Sequence, residues 1–453
     1  MNVPISIGAI IPGSENSIVE EVINHININL SDESFTRQYK DREKSFTRNR
    51  VLTIRRLVVF MMTCLQKAIQ RELAHFANVI SSGGESMVEV KKAAFCRARK
   101  RISANLFMWM AFAVPDKFYE LTETYLWKGE YRLIGCDGST AELPNSEEVI
   151  KKFGVFKTRD DGKKTCMGRI LSFCDLGSNL ILNASMESMQ YSETEMLWNS
   201  LPELKLYEND ILVLDRYYAS YAFFFYMDAM NINYCFRMKK SWKIVKEFLA
   251  TGLQSQIISI ALPAKNKTEL QKLGVTKSKM KVRLVKVELP NGGYEILLTS
   301  LVDEKKISVV DLKQLYGMRW NIEKSFGVLK HKVCLENFTG KSLQAIYQDF
   351  YLKIFMMNLT ALAVNPINEE LEEEYHEKTN KRKGIHMHQV NFTEALFTIK
   401  NAIVSLFYFR NVRDTLNTAL ERIRNITEPI RKGRSFKRHH LPKRKYYMNY
   451  KPI

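Results

Sequence analysis

The order of strand-like and helix-like segments after Tyr131 is the feature that most constrains the fold of this chain. Short apolar runs with strand character occur at residues 131–139, 168–174, 180–186, 210–215 and 233–240. Helical patterns separate the last three runs, so the order is β-β-β-α-β-α-β. Such an order predicts an α/β fold in which the loops after the strand ends carry the chemistry.

Local signals refine this prediction. Residues 175–179 have the composition of a hairpin turn, and Ser192 with Glu195 has the spacing of a helix capping box. A helical pattern resumes at Asp311, after a β-rich stretch. The acidic run 369–377 interrupts this pattern, and we expect it to be a solvated connector.

The charge of the chain is strongly positive and unevenly placed. Lys and Arg number 68 against 49 Asp and Glu, a net charge of +19. Residues 430–453 hold nine basic residues and no acid, residues 91–101 hold six basic residues on a helical stretch, and residues 265–283 form a third basic run. This excess favours a polyanionic partner, with nucleic acid ahead of an anionic membrane.

The composition argues against a disulfide- or zinc-stabilised domain and against a membrane protein. Neither a disulfide framework nor a structural zinc site is indicated, because the seven cysteines include no C-x-x-C pair. No apolar run approaches the roughly 18 residues that a membrane span requires. We therefore expect a soluble protein that makes no membrane contact.

Two aspartates are the first candidates for chemistry. Asp137 ends the first strand and Asp215 ends the fourth. Each alone could be an ordinary turn residue or a helix cap. If the two strands are neighbours, however, both carboxylates emerge at one place, and two adjacent anions are costly unless a divalent cation neutralises them.

A helical stretch supplies the next candidates. Tyr316, Arg319, Glu323 and Lys330 fall within an arc of roughly 60° on one predicted helix face. Such spacing normally marks a core stripe, which is the alternative interpretation. Three of the four are charged, however, and a buried polar stripe needs partners such as a metal ion and phosphate.

At these positions the chain resembles the bacterial insertion-sequence transposases of the DDE type, in the group with a Tyr-x2-Arg-x3-Glu-x6-Lys signature (the insertion-sequence-four family). All four signature positions match. The sequences after Asp137 and Asp215 resemble the first and second aspartate motifs of the group. Tyr217 departs from the pattern, because a small residue is usual there.

The resemblance implies a ribonuclease-H-like catalytic domain interrupted by a β-rich insertion. It also implies an N-terminal helical DNA-binding module and a helical C-terminal region with a basic tail. The segments expected are a DNA-binding module at 1–125, the first part of the catalytic domain at 126–240, the insertion at 241–305, the second part of the catalytic domain at 306–365, and the C-terminal region at 366–453.

A metal-dependent mechanism follows from these residues. Asp137, Asp215 and Glu323 would hold two divalent ions about 4 Å apart, which activate water and then a 3′-hydroxyl for attack on phosphodiesters. Carboxylate and water ligands suit Mg²⁺ or Mn²⁺ better than zinc.

The cationic signature residues are expected to bind DNA. By resemblance, Tyr316, Arg319 and Lys330 would contact DNA phosphates near the cut. The alternative for Arg319 is a structural pair with Glu323, four residues on.

Three further residues are weaker candidates. Arg237, at the end of a strand, is expected to contact phosphate or to form a surface salt bridge. Trp320 and Trp242 are expected either to stack on an unpaired base or to belong to the core.

The predicted function is therefore cut-and-paste transposition by a DNA transposase. Its partners would be the terminal inverted repeats and target DNA, bound by a homodimer in a paired-end complex, in the cytoplasm of a bacterium and associated with the nucleoid. A hairpin intermediate is implied by the resemblance alone. The alternatives are a catalytically silent DNA-binding protein and a ribonuclease-H-like nuclease without strand transfer.

Overall fold

The structure is a computed structural model, and it describes residues 16–47, 51–63, 65, 67–122, 126–157, 164–289, 292–379 and 386–430. The basic tail at 431–453 lies outside these residues. The α-helices are α1 Asn16–Ser31, α2 Glu33–Arg37, α3 Ile54–Met62, α4 Ile69–Ser82, α5 Lys92–Arg99, α6 Ala104–Leu121, α7 Glu147–Phe153, α8 Glu193–Ser200, α9 Tyr221–Ala229, α10 Lys243–Ala250, α11 Ala264–Lys272, α12 Val309–Met318, α13 Trp320–His331, α14 Leu343–Thr379, α15 Phe392–Ile403 and α16 Val412–Arg424. The strands are β1 Arg132–Leu143, β2 Phe156–Lys157, β3 Lys164–Asp175, β4 Ile181–Ser188, β5 Asp210–Leu214, β6 Asn233–Arg237, β7 Ser255–Ala261, β8 Lys279–Glu288, β9 Tyr294–Thr299, β10 His388–Val390 and β11 Thr427–Pro429.

The chain divides into two compact units. The first contains the described residues of Glu123–Thr140 and Gly168–Phe326. The second contains those of Ile11–Thr122, Ala141–Met167 and Gly327–Ile453.

A large mixed sheet forms the centre of the first unit. Its nine strands have the order β2-β3-β1-β5-β6-β9-β8-β7, and β4 also pairs with β3. The strands β1, β5 and β6 run parallel to one another, whereas β3 and β4 pair antiparallel, as do β6, β9, β8 and β7 in succession. The protein is thus a mixed α/β protein.

Both faces of the central strands are buried, as expected for parallel strands. All five residues of β5 are buried. On one face, Phe236 packs against the α9 rings of Phe223 and Phe224 at centroid distances of 5.5 and 5.0 Å. On the other face, Gly135 lies so close to Leu176 and Ile322 that a Cβ there would come within 2.7 Å of the Leu176 side chain. Helix α13, which carries Ile322, therefore covers the second face.

The local sequence predictions in this unit are largely confirmed. The strands at 131–139, 168–174, 180–186, 210–215 and 233–240 correspond to β1, β3, β4, β5 and β6. Residues 176–180 connect the antiparallel strands β3 and β4. The Ser192 hydroxyl and the Glu195 carboxylate form the predicted capping box at the start of α8. The prediction missed α7 and β2, which lie between β1 and β3.

The β-rich stretch at 241–305 extends the central sheet. Strand β9 pairs with β6 through Cys235 and Thr299, so β9, β8 and β7 continue the sheet beyond the parallel strands. Along the chain, α10 lies between β6 and β7, and α11 lies between β7 and β8.

The second unit is mainly helical, and α14 forms much of its core. The predicted connector at 369–377 is wrong, because these residues belong to α14. Glutamate favours helix, and pairs one turn apart such as Glu374 with Lys378, at 2.7 Å, support the exposed end of the helix. By length and composition, α14 could cross a membrane, but 89% of its most apolar window is buried inside the protein, as in a core helix.

Candidate active site

Three polar side chains follow one row of paired residues in the sheet. Cys136 of β1 is the register partner of Leu214 in β5, and Leu214 is the partner of Phe236 in β6. Asp137, Asp215 and Arg237 are the next residues along the three strands. Because side chains alternate between faces, all three belong to the face covered by α13. Neighbouring strands are about 4.8 Å apart, so the two aspartates emerge side by side.

Asp215 is surrounded by polar partners. The Tyr316 hydroxyl donates to Asp215 Oδ1 at 3.4 Å, and Arg237 Nη1 lies 3.9 Å from the same oxygen. Arg237 Nη2 lies 3.0 Å from Glu295 Oε1. The structure therefore contains the salt bridge that was one of the two interpretations of Arg237, and it brings Tyr316 to the second aspartate.

The helix that carries the signature residues differs from the prediction. A single helix face was expected from Tyr316 to Lys330, but α12 ends at Met318 and α13 begins at Trp320. The N–H of Arg319 bonds to the carbonyl of Tyr316 and that of Ile322 to the carbonyl of Arg319, both at 3.1 Å. These bonds span three residues instead of four, so the backbone tightens at Arg319. Arg319 itself keeps right-handed helical angles, and its guanidinium lies 5.7 Å from the Tyr316 ring.

Arg319 and Glu323 form an ion pair. Arg319 Nη2 lies 2.8 Å from Glu323 Oε1, and Arg319 is only 5% exposed. Its buried Nε has no hydrogen-bond partner. This is the pairing anticipated by the structural alternative for Arg319, and the orphaned Nε shows that the guanidinium is not fully satisfied by protein groups.

Asp137 is a partly buried carboxyl with an unusual pKa. Burial raises its pKa to about 6, the Gly138 N–H and Arg319 lower it, and the nearby carboxylates of Glu323 and Glu193 raise it. The Gly138 N–H donates to Asp137 Oδ1 at 2.9 Å. The charge of the ionised Asp137 is therefore only partly compensated.

Glu193 is a residue that the sequence prediction did not identify. It is the first residue of α8 and follows the Ser192 cap. The Tyr218 hydroxyl donates to Glu193 Oε2 at 3.0 Å, and Arg169 Nη1 lies 3.7 Å from Oε1. The capping box located its backbone, but nothing local in the sequence indicates that α8 begins beside Asp137.

The remaining candidates are less closely associated with the aspartates. Lys330 is half-buried on α13 and belongs to the second unit. Trp320 is 54% exposed, with the Arg319 guanidinium 5.6 Å from its ring. Trp242 packs on Tyr221 at 5.1 Å, which favours the core alternative for Trp242. Tyr217, the departure from the family pattern, is 50% exposed beside Asp215.

The metal-ligand geometry is not preformed. Within the described part of the chain, no three His, Cys, Asp or Glu side chains are grouped so as to hold a metal ion. Arginine side chains lie beside two of the three predicted carboxylates, at Asp215 and Glu323.

The basic stretch at 91–101 contains both exposed and buried basic side chains. Lys92 and Arg97 of α5 are exposed, whereas Arg99 is buried and lies 2.6 Å from Asp349 of α14. Arg99 also bonds to Gln348 at 2.6 Å and to the carbonyl of Ala345. Arg99 therefore stabilises the second unit and is not exposed to a DNA partner.

The matches to known proteins include one to a family and one to a solved structure. Residues 128–359, just over half of the chain, match the family described as the transposase DDE domain. The cryo-EM structure of a piggyBac transposase synaptic complex with hairpin DNA is similar at 12% identity and a TM-score of 0.40, covering 89% of this chain and 82% of that chain. This similarity is too weak to define the fold. No curated protein matches the sequence. The family match includes both aspartates and the signature helices, and the chain belongs to the transposase DDE domain family.

Proposed function

We propose that the chain is a cut-and-paste DNA transposase with Asp137, Asp215 and Glu323 as its catalytic carboxylates. The observation that carries this proposal is the row Cys136–Leu214, after which two aspartates emerge side by side on adjacent parallel strands. The assignment of Glu323 is supported by helix α13, whose Ile322 packs over Gly135, and by the charge of Glu323, which raises the pKa of Asp137. The strand order β4-β3-β1-β5-β6 supports a ribonuclease-H-like catalytic domain.

The donor set fits a divalent cation. The carboxylates are hard oxygen ligands, which suit Mg²⁺ or Mn²⁺. The raised pKa of Asp137, about 6, reflects burial and neighbouring negative charge, a penalty that a bound cation would remove. When bound by the three carboxylates, two such ions supply activation of water and of a 3′-hydroxyl.

The neighbouring side chains have separate roles in this proposal. Tyr316 and Arg237 orient Asp215, from 3.4 and 3.9 Å. Arg319 is assigned to a DNA phosphate; because it is 5% exposed and lies 2.8 Å from Glu323, this contact requires its side chain to become accessible when DNA binds. Lys330 provides a further phosphate contact, and the exposed ring of Trp320 stacks on an unpaired base.

The biological setting follows from the signature group. We assign the chain to the bacterial insertion-sequence group with the Tyr-Arg-Glu-Lys signature, acting in the cytoplasm on terminal inverted repeats and target DNA. A homodimer assembles the paired-end complex. The net charge of +19 supports a DNA partner. The domains have the bounds expected from the sequence, with the DNA-binding module at 1–125.

Strand transfer is the experiment that tests the proposed function. DNA ends taken from the sequence flanking the reading frame are incubated with the protein, supercoiled plasmid and Mg²⁺. We expect covalent joining of the 3′-hydroxyl end to the plasmid. Cleavage without joining would favour a nuclease, and binding without cleavage a silent DNA-binding protein; either result would contradict the proposal.

A further inference from the structure

The Glu193 carboxylate lies directly against the strand that carries Asp137. A Cβ built on Gly138 would come within 2.2 Å of Glu193 Cδ and within 2.4 and 2.6 Å of its two oxygens. Residue 138 must therefore lack a side chain for the carboxylate to occupy this place. The same Gly138 donates its N–H to Asp137 at 2.9 Å, so one glycine connects the two acidic residues.

Glu193 reaches Gly138 from the opposite side of the sheet to Glu323. Gly138 follows Asp137 in β1, and successive residues of a strand point to opposite faces. Helix α8 packs its Met196 and Leu197 into the core on the face formed by Cys136 and Leu214. Asp137 thus lies between acidic residues supplied by helices on the two faces.

The position of Glu193 is fixed by neighbouring groups. The capping box sets the start of α8, and the Tyr218 hydroxyl holds Glu193 Oε2 at 3.0 Å. Tyr218 is 1% exposed and belongs to the segment that follows Asp215. Arg169 is the nearby cation, but at 3.7 Å it neutralises the carboxylate incompletely.

Such an arrangement is unfavourable without a cation. Like charges at one site repel, and burial strengthens the repulsion. A cation bound at Asp137 would change the electrostatic interaction between Glu193 and this site from repulsive to attractive, because the negative Glu193 attracts the cation.

We propose that Glu193 is a positioning residue of the cation site, which holds Gly138 and thereby Asp137 in place and adds a negative charge that strengthens cation binding. This inference rests on the proposed function, because it assumes that Asp137 binds a cation. Glu193 acts through Gly138 and Asp137 and is not required to touch DNA.

The test is Mn²⁺ binding to the full chain without DNA, measured by the electron paramagnetic resonance signal of unbound Mn²⁺. Glu193→Gln keeps the shape and accepts the Tyr218 hydrogen bond but removes the charge. We expect its dissociation constant for Mn²⁺ to rise about 10- to 100-fold, the range found when groups that support metal ligands are lost. The matched control is Glu195→Gln on the same helix, which retains the capping box and should bind Mn²⁺ as the wild type does.

A second variant tests the contact itself. Gly138→Ala introduces the Cβ that would displace Glu193, and we expect a similar loss of Mn²⁺ affinity. If Glu193→Gln lowers the melting temperature but binds Mn²⁺ as the wild type does, Glu193 only stabilises the helix start and the inference is wrong.

Asp137→Asn distinguishes this inference from the proposed function. If Asp137→Asn loses Mn²⁺ binding while Glu193→Gln does not, the inference fails and the proposed cation site stands. If Asp137→Asn binds Mn²⁺ normally, the proposed cation site is itself wrong, and the role of Glu193 fails with it.

Discussion

Asp137 and Asp215 directly follow Cys136 and Leu214, which are register partners on adjacent parallel strands. The two aspartates therefore follow paired residues of neighbouring strands, although α7, β2, β3, β4 and α8 separate these strands along the chain. A shift of one residue in this register would move one carboxylate to the opposite face of the sheet.

Substitution of Arg319 or Lys330 should weaken DNA binding more than metal binding. Losing one charge-assisted phosphate contact costs about 1.5 to 3 kcal/mol, or roughly 10- to 150-fold. Arg319→Ala and Lys330→Ala should weaken the paired-end complex by this factor and leave Mn²⁺ affinity intact, whereas Glu323→Ala should do the reverse. The measurement is a metal titration on pre-cut ends, with complex formation and strand transfer scored separately.

The ion pair between Arg319 and Glu323, at 2.8 Å, supplies the competing expectation. If Arg319→Ala raises the metal requirement as much as Glu323→Ala while end binding stays normal, Arg319 is a structural partner of Glu323 and contacts no phosphate.

Removing the charge of Asp137 should stabilise the protein in the absence of metal. Its folded-state pKa is about 6, against an ordinary value of 3.8, so the folded protein holds the proton more tightly than the unfolded chain. Stability is thus lost as the pH rises from about 4 to about 6. With metal chelated at pH 7.5, Asp137→Asn should unfold at a higher temperature than the wild type. The corresponding gain in the free energy of unfolding is at most about 3 kcal/mol. At pH below 4 the difference should vanish, and a pH-independent difference would contradict this explanation.

Two arginines of the same helix should behave differently. Arg99 is buried against Asp349, and breaking a buried pair costs about 3 to 5 kcal/mol, so Arg99→Ala should strongly lower the free energy of unfolding in urea. Arg97 is exposed, and Arg97→Ala should leave stability unchanged but weaken DNA binding, with the slope of log K against log salt reduced by about 1. Unaltered DNA binding by Arg97→Ala would remove α5 from the DNA interface.

The tail should add affinity without specificity. Residues 431–453 carry the nine basic residues of the C-terminal run, and phosphate contacts release counterions. Deleting the tail should flatten the salt dependence of DNA binding and leave the preferred sequence unchanged. A slope equal to that of the full chain would indicate a solvated tail that does not bind DNA.

Local patterns in the sequence predict local features well. The hairpin turn at 175–179 and the Ser192 capping box depend on neighbouring residues, and both are confirmed. The interruption between α12 and α13 at Arg319 is not indicated by the helical periodicity of the sequence. The prediction of a solvated connector at 369–377 rests on charge alone, although glutamates also favour helix.

Long-range pairing explains what the sequence did not predict. The β-rich stretch joins the central sheet because β9 pairs with β6, and this pairing has no signal in either strand. Glu193 lies beside Asp137 because α8 packs under β1, so its place depends on the whole sheet. The sequence predicts a clustering of Asp137 with Asp215 only on the condition that their strands are neighbours, and the strands β1 and β5 are neighbours.

Magnesium-dependent nicking of DNA ends by single carboxylate variants tests the central claim most directly. Asp137→Asn, Asp215→Asn and Glu323→Gln should each abolish nicking while end binding stays near the wild-type level, because phosphate contacts are made by other residues. Asp228→Asn, a surface aspartate paired with Lys277, is the matched control and should nick normally. If Glu323→Gln nicks DNA in Mg²⁺ at a rate near that of the wild type, Glu323 is not the third carboxylate and the proposed active site is wrong.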